Sequence, residues 1–111
     1  SAHRTATKKY IESLGWQVQG ELVESCEITI PLVFDNIYED YNLLQNRAGY
    51  DLTPYKGKNV IRYTYHISNY PVETKDQVRV NIIEFNGRII GGDIMTTSIH
   101  GFMHPLMKNI L

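Results

Sequence analysis

Apolar and polar residues alternate with period two through several stretches of this chain and recur every three to four residues through two others, and that difference sorts its elements. Residues 59–68 alternate strictly, with Ile61, Tyr63, Tyr65 and Ile67 on one side and Val60, Arg62, Thr64 and His66 on the other. This is the pattern of a half-buried antiparallel strand. Residues 16–22 alternate through Trp16, Val18 and Leu22, and residues 27–30 do so again, which predicts two further strands, the first bent or bulged at Gly20. Between residues 78 and 97 two β-rich runs flank Asn86-Gly87, a pair suited to the two positive φ angles of a type I′ hairpin turn. A flush hairpin about that turn pairs Phe85 with Arg88, Glu84 with Ile89, Ile83 with Ile90, Ile82 with Gly91, Asn81 with Gly92, Val80 with Asp93 and Arg79 with Ile94. Neither face of that ladder is cleanly polar, so cover is expected on both.

The helical spacing appears first in residues 5–14, where Thr7, Tyr10, Ile11 and Leu14 share a face opposite Lys8, Lys9 and Glu12. Gly15 stands where a left-handed residue would close that helix, with Trp16 free to pack back on it. The main helix is expected over residues 35–48, with a covering stripe of Ile37, Tyr41, Leu44 and Ala48 and with Gly49 at its end. Its acidic residues Asp35, Glu39 and Asp40 precede Arg47, which suits the helix dipole. Pro54 and Gly57 mark a turn before the strictly alternating strand, and residues 69–77, with Tyr70-Pro71, read as a loop. After Thr97 the apolar residues are interrupted by Gly101 and Pro105, which predicts a docked irregular tail or a helical turn. The result is an α+β fold: one main helix and a short N-terminal helix on an antiparallel sheet of about four to five strands, ending in the Asn-Gly hairpin.

Composition narrows the functional classes. A chain of 111 residues suits a single domain over 1–111 that buries roughly two-thirds of its unfolded surface. Its 42% hydrophobic and 21% charged content is that of a globular protein, and a net charge of -1 argues against a nucleic-acid partner. Cys26 is the single cysteine, so neither an intramolecular disulfide nor a thiolate cluster can form. It is expected to be a small buried apolar group, since Glu24 and Glu27 are the wrong company for a nucleophilic thiol. No uncharged run approaches the ~20 apolar residues of a membrane span.

Few motifs carry chemistry. His100 and His104 are four apart and could share a metal on a helix, with Asp93 and His66 as possible completing ligands, although Gly101 weakens the helix this needs. Gly91-Gly92-Asp93 does not fit a phosphate loop; mid-strand glycines instead mark a bulge or a place where something bulky lies on the backbone. That something is either the main helix or tail, or a ligand. Eight tyrosines are unusual for this length. Tyr38, Tyr41, Tyr63 and Tyr65 read as core, whereas Tyr50, Tyr55 and Tyr70 occupy loops, where aromatic residues favour recognition. Ser98 lacks a nucleophile elbow, and no catalytic set is assigned.

A longer set of residues resembles a known family. It runs from Leu14-Gly15-Trp16 through Ile30-Pro31, Phe34-Asp35, Tyr38-Glu39, Tyr41-Asn42 and Gln45, then Gly49, Asp51-Leu52, Tyr55 and Gly57-Lys58. It continues with Arg62-Tyr63-Thr64-Tyr65, Asn69-Tyr70-Pro71, Gly91-Gly92-Asp93 and Gly101-Phe102-Met103-His104. In these the chain resembles the domain-of-unknown-function family 4830, departing at His100, where an acidic residue would be expected. The resemblance implies a small bacterial extracytoplasmic domain, secreted or lipid-anchored at the cell surface as in a lipoprotein, and implies no activity. A chain opening on Ser1 agrees with an upstream segment that would supply any membrane attachment.

The function expected from all this is a non-enzymatic binding module for an unknown protein or peptide partner, with no cofactor. The candidate binding residues are Tyr50, Tyr55, Tyr70, Gly91, Gly92 and Asp93, and the candidate metal residues are His100 and His104. The alternative is a small metal-assisted or acid–base enzyme centred on Asp93, His100 and His104.

Overall fold

Asn86 and Gly87 both adopt positive φ, 49° and 80°, as a type I′ turn requires, and the sheet is built outward from them. The structure, a computed structural model, describes residues 2–98 and 100–107. Strands β1 (Val18–Thr29), β2 (Asn59–Ile67), β3 (Arg79–Phe85), β4 (Arg88–Met95) and β5 (Met103–His104) form an antiparallel sheet in chain order. Helix α1 (Ala2–Ser13) precedes β1, and α2 (Asn36–Arg47) lies between β1 and β2 in the chain.

The alternation in β2 divides the interior in two. Tyr63, Tyr65 and Ile67 join Val80, Ile82 and Ile94 with Ile11 of α1, Trp16 and Leu106. On the opposite face Val60, Ile83 and Ile90 join Ile30 and Leu52, and Tyr38 and Tyr41 of α2 pack against them. Both faces are therefore covered over part of their length, one by α1 and the other by α2. Thr7 and Ile11 are fully buried, and Gly15, at φ 98°, closes α1. The Trp16 indole N–H donates to the Leu106 carbonyl at 2.7 Å, tying the segment after β5 to the α1 side.

The structure corrects the sequence reading in five places. The flush register holds only for Phe85–Arg88 and Glu84–Ile89; beyond them Ile83 pairs with Gly91, Ile82 with Gly92, Asn81 with Asp93, Val80 with Ile94 and Arg79 with Met95. Ile90 is the extra residue of a β-bulge, and every later residue of β4 is turned to the face opposite the expected one. The two expected N-terminal strands are one, β1, irregular between Gln19 and Glu24 around Gly20, which has φ 73° and bends the strand without ending it. Helix α2, capped by the Asp35 carboxylate on the Tyr38 N–H at 2.8 Å, is rotated from the expected stripe. Ile37 is 77% exposed, while Gln45 is fully buried because its side-chain oxygen accepts from the Gly92 N–H at 2.8 Å. The expected irregular tail contributes Met103 and His104 as β5, paired with Met95 and Ile94. Cys26 is half-buried rather than buried.

Candidate functional site

Because α2 turns Tyr38, Tyr41 and Gln45 toward the sheet, it stands off from the strands on its Ile37 and Leu44 flank and leaves a groove of about 440 Å³. The groove crosses all five strands, touching Ile28 of β1, Arg62 of β2, Asn81 and Ile83 of β3, Asp93 and Met95 of β4 and Met103 of β5. Its helix wall is Ile37, Tyr38, Asp40, Tyr41 and Leu44. A mostly apolar cleft with a few convergent polar groups is the usual form of a ligand site, and this volume lies in the usual range.

The polar groups form a chain on the groove floor. The Tyr41 hydroxyl donates to one Asp93 oxygen at 2.6 Å, and the Asn81 amide donates to the other at 3.0 Å. The Thr64 hydroxyl then donates to the Asn81 carbonyl oxygen at 2.6 Å. Asp93 is 2% exposed, and burial pushes its carboxyl above the usual range against the opposing pull of the Tyr41 and Asn81 hydrogen bonds. Burial, then the adjoining Asp93 carboxyl, holds the Tyr41 phenol well above its ordinary value. Arg62 completes the floor. One of its terminal nitrogens meets Glu24 at 2.9 Å near the surface, and its Nε is buried with no hydrogen-bond partner.

The floor is held in place by its own hydrogen bonds. The two Asp93 oxygens are each held by a side chain of the fold, so the carboxyl keeps its orientation whether or not the groove is filled. Tyr41 and Asp93 are anchored on different elements, α2 and β4, and their bond fixes the width of the groove at this point.

Of the residues singled out from the sequence, Asp93 is in the groove, and Gly91 and Gly92 lie beside it under other groups of the chain. A Cβ on Gly91 would sit 2.7 Å from the Gln45 side-chain oxygen, and one on Gly92 would sit 2.9 Å from Leu106 and 2.2 Å from the Asn81 carbonyl oxygen. The three loop tyrosines do not share a patch: Tyr50 and Tyr70 pack on the α1-side core and Tyr55 on the α2-side core. Tyr55 meets Phe85 edge-on at 5.5 Å, and Tyr70 stacks between Trp16 at 5.8 Å and Phe102 at 5.1 Å.

His104 lies in this same stack, its two ring nitrogens bonded to the Tyr70 hydroxyl at 2.8 Å and the Pro105 carbonyl at 2.7 Å. His100 is exposed beside Thr74, Lys75 and Asp76. Among the described residues no group of three or more His, Cys, Asp or Glu is placed to hold a metal ion. The sequence reading missed Arg62, Asn81 and Gln45. Asn81, between Val80 and Ile82, and Gln45, beside Leu44, interrupt apolar runs, and that interruption was the available signal; Arg62, on the polar side of β2 with Thr64 and His66, carried none.

The fold and groove define a small α+β domain with a pre-formed cleft between a helix and a sheet. The chain belongs to the family described as a domain of unknown function (DUF4830), whose model matches residues 10–94. That span includes α2, β2, β3 and all of β4 except Met95. Comparisons with curated proteins and with solved structures found no match. No helix among the described residues is long and apolar enough to cross a membrane.

Proposed function

We propose that this chain is a non-enzymatic binding domain of an exported or surface-anchored bacterial protein, and that it holds an apolar peptide segment of a protein partner in the groove beneath α2. The observation that carries the reading is the groove itself, an open apolar cleft that crosses the sheet and has a fixed polar floor. Ile37 and Met103, 77% and 44% exposed, continue the apolar lining out to its mouth. Exposed apolar surface continuous with a cleft is the form a partner site takes. The non-enzymatic part is supported by geometry: Asp93 is on the α2 face, whereas His104 is committed to the aromatic stack on the α1 side. The exported setting is supported by the family resemblance.

The neutral reporter N-phenyl-1-naphthylamine tests the site. It should bind saturably at one site, with binding lost in Leu44→Glu on the groove wall and kept in Leu43→Glu on the exposed side of α2. No saturable binding, or equal loss in both variants, would remove the proposal.

A further inference from the structure

Resting on the groove as the binding site, we infer that its partner is a second copy of this chain, which inserts the tip of its own β1–α2 loop, Leu32-Val33, into the cleft. Val33, Ile37 and Leu32, exposed by 82%, 77% and 75%, are the most exposed large apolar side chains among the described residues. Ile37 marks the mouth of the groove, whereas Leu32 and Val33 lie on the other flank of α2, in a hollow with Asn42 and Leu43. Each copy thus carries an apolar projection that its own groove does not receive, and such surface marks an interaction site.

The loop matches the groove in chemistry and in form. Residues 28–34 are a run without charge, which suits a lining of Ile28, Leu44, Ile83, Met95 and Met103. Ile30 donates its N–H to the Lys58 carbonyl at 2.9 Å and accepts from the Gly57 N–H at 2.7 Å, and the Asp35 cap fixes the far side of the loop. Little order remains to be lost on docking. Charge points to a copy of this chain. Lys56, 4.7 Å from the Phe34 ring centroid, and Lys58 stand at the root of the loop, and Asp40 stands on the wall of the receiving groove. Glu39 beside Lys56 only partly offsets the two lysines. Val33 and Ile37 are within about 14 Å of each other along the chain, so one two-fold contact seats both loops and closes the assembly at two copies.

Sedimentation equilibrium of the wild-type chain should show an average mass that rises with concentration from that of one copy toward that of two. Val33→Glu at the loop tip and Ile37→Glu at the groove mouth should each weaken association by about tenfold or more. Val72→Glu, 61% exposed and beyond the other end of β2, should leave it unchanged. Because the first two variants spoil different halves of the contact, an equimolar mixture of them should associate more tightly than either alone. A wild-type chain that stays monomeric, equal weakening in all three variants, or no gain on mixing would overturn the inference. N-phenyl-1-naphthylamine separates that failure from failure of the groove. If the dye binds saturably to a chain that never pairs, the groove stands and its partner is another protein; if the dye does not bind Val33→Glu, whose groove the loop no longer fills, both fall.

Discussion

Replacing Asp93 separates what its hydrogen bonds contribute from what its charge costs. In Asp93→Ala, the Tyr41 hydroxyl and the Asn81 amide both lose their acceptor in a buried place. At about 1–3 kcal/mol for each stranded group, the loss is about 2–6 kcal/mol, a large share of the stability of a small domain. In Asp93→Asn the network can re-form in reverse. The new carbonyl accepts from Tyr41, its amide donates to a turned-over Asn81, and the Asn81 amide donates to Thr64, whose hydroxyl also accepts. The leftover Thr64 proton is the residual cost, about 1 kcal/mol.

Wild type and Asp93→Asn should also differ in pH dependence. Burial raises the Asp93 pKa in the folded state, so at low pH both states carry the proton and nothing is lost. As pH rises above the ordinary aspartate value, ~3.9, the unfolded chain releases its proton while the folded chain resists, and stability falls until the raised folded value is passed. The stability of Asp93→Asn relative to wild type should therefore grow from about pH 4 toward neutrality. Urea unfolding followed by the fluorescence of Trp16, the single tryptophan and 1% exposed, measures both effects. Equal destabilisation by Asn and Ala, or a fall in the stability of Asp93→Asn relative to wild type as pH rises, would refute the reasoning.

Gly92→Ala should cost about 3 kcal/mol in the same assay, because the new methyl meets a backbone oxygen of Asn81 that cannot turn aside. Gly91→Ala should cost less, about 1–2 kcal/mol, since the obstacle is the end of the Gln45 side chain, which can move at the expense of its bond to Gly92. His104 is held below its ordinary imidazole pKa by burial, so its contribution is complete above ~6.5 and is lost as pH falls and the unfolded chain protonates first. The stability gap between wild type and His104→Gln should accordingly narrow from pH 8 to pH 5; His66, shifted the same way by burial and Arg79, cancels in that difference. Trp16→Phe should lose about 1 kcal/mol or more through the Leu106 carbonyl it leaves unpaired, read by thermal unfolding in circular dichroism.

What could be read from the sequence was what neighbouring residues decide among themselves. The Asn86-Gly87 turn, the two faces of β2 and the Gly15 end of α1 follow from local φ demands and from spacing. The rotation of α2 was hidden because its inner face is centred on Gln45, a polar residue whose burial is justified only by the Gly92 N–H of a strand 47 positions away. An apolar stripe drawn through Ile37 was reasonable by periodicity and wrong by partner. Arg62 and Thr64 were rightly placed on the face opposite Tyr63, but nothing local says that this polar side of β2 lies under a helix.

The position of Asp93 shows how one extra residue turns a strand into a site. In a flush hairpin Asp93 would pair with Val80 and point into the core shared by Val80, Ile82 and Trp16, a buried carboxyl among aliphatic and aromatic groups. The bulge at Ile90 moves it by one position, opposite Asn81, where an amide donor is waiting and where α2 brings the Tyr41 hydroxyl. The same shift sends Ile94 into the α1-side core beside Val80 and leaves Ile90 in the core beneath α2. Matching polar residues across the ladder, rather than counting back from the turn, would have selected the bulged register. It pairs Asn81 with Asp93 and Val80 with Ile94, whereas the flush one pairs Asn81 with Gly92 and Val80 with Asp93. The groove floor exists because satisfying one buried carboxyl outweighed keeping the ladder regular.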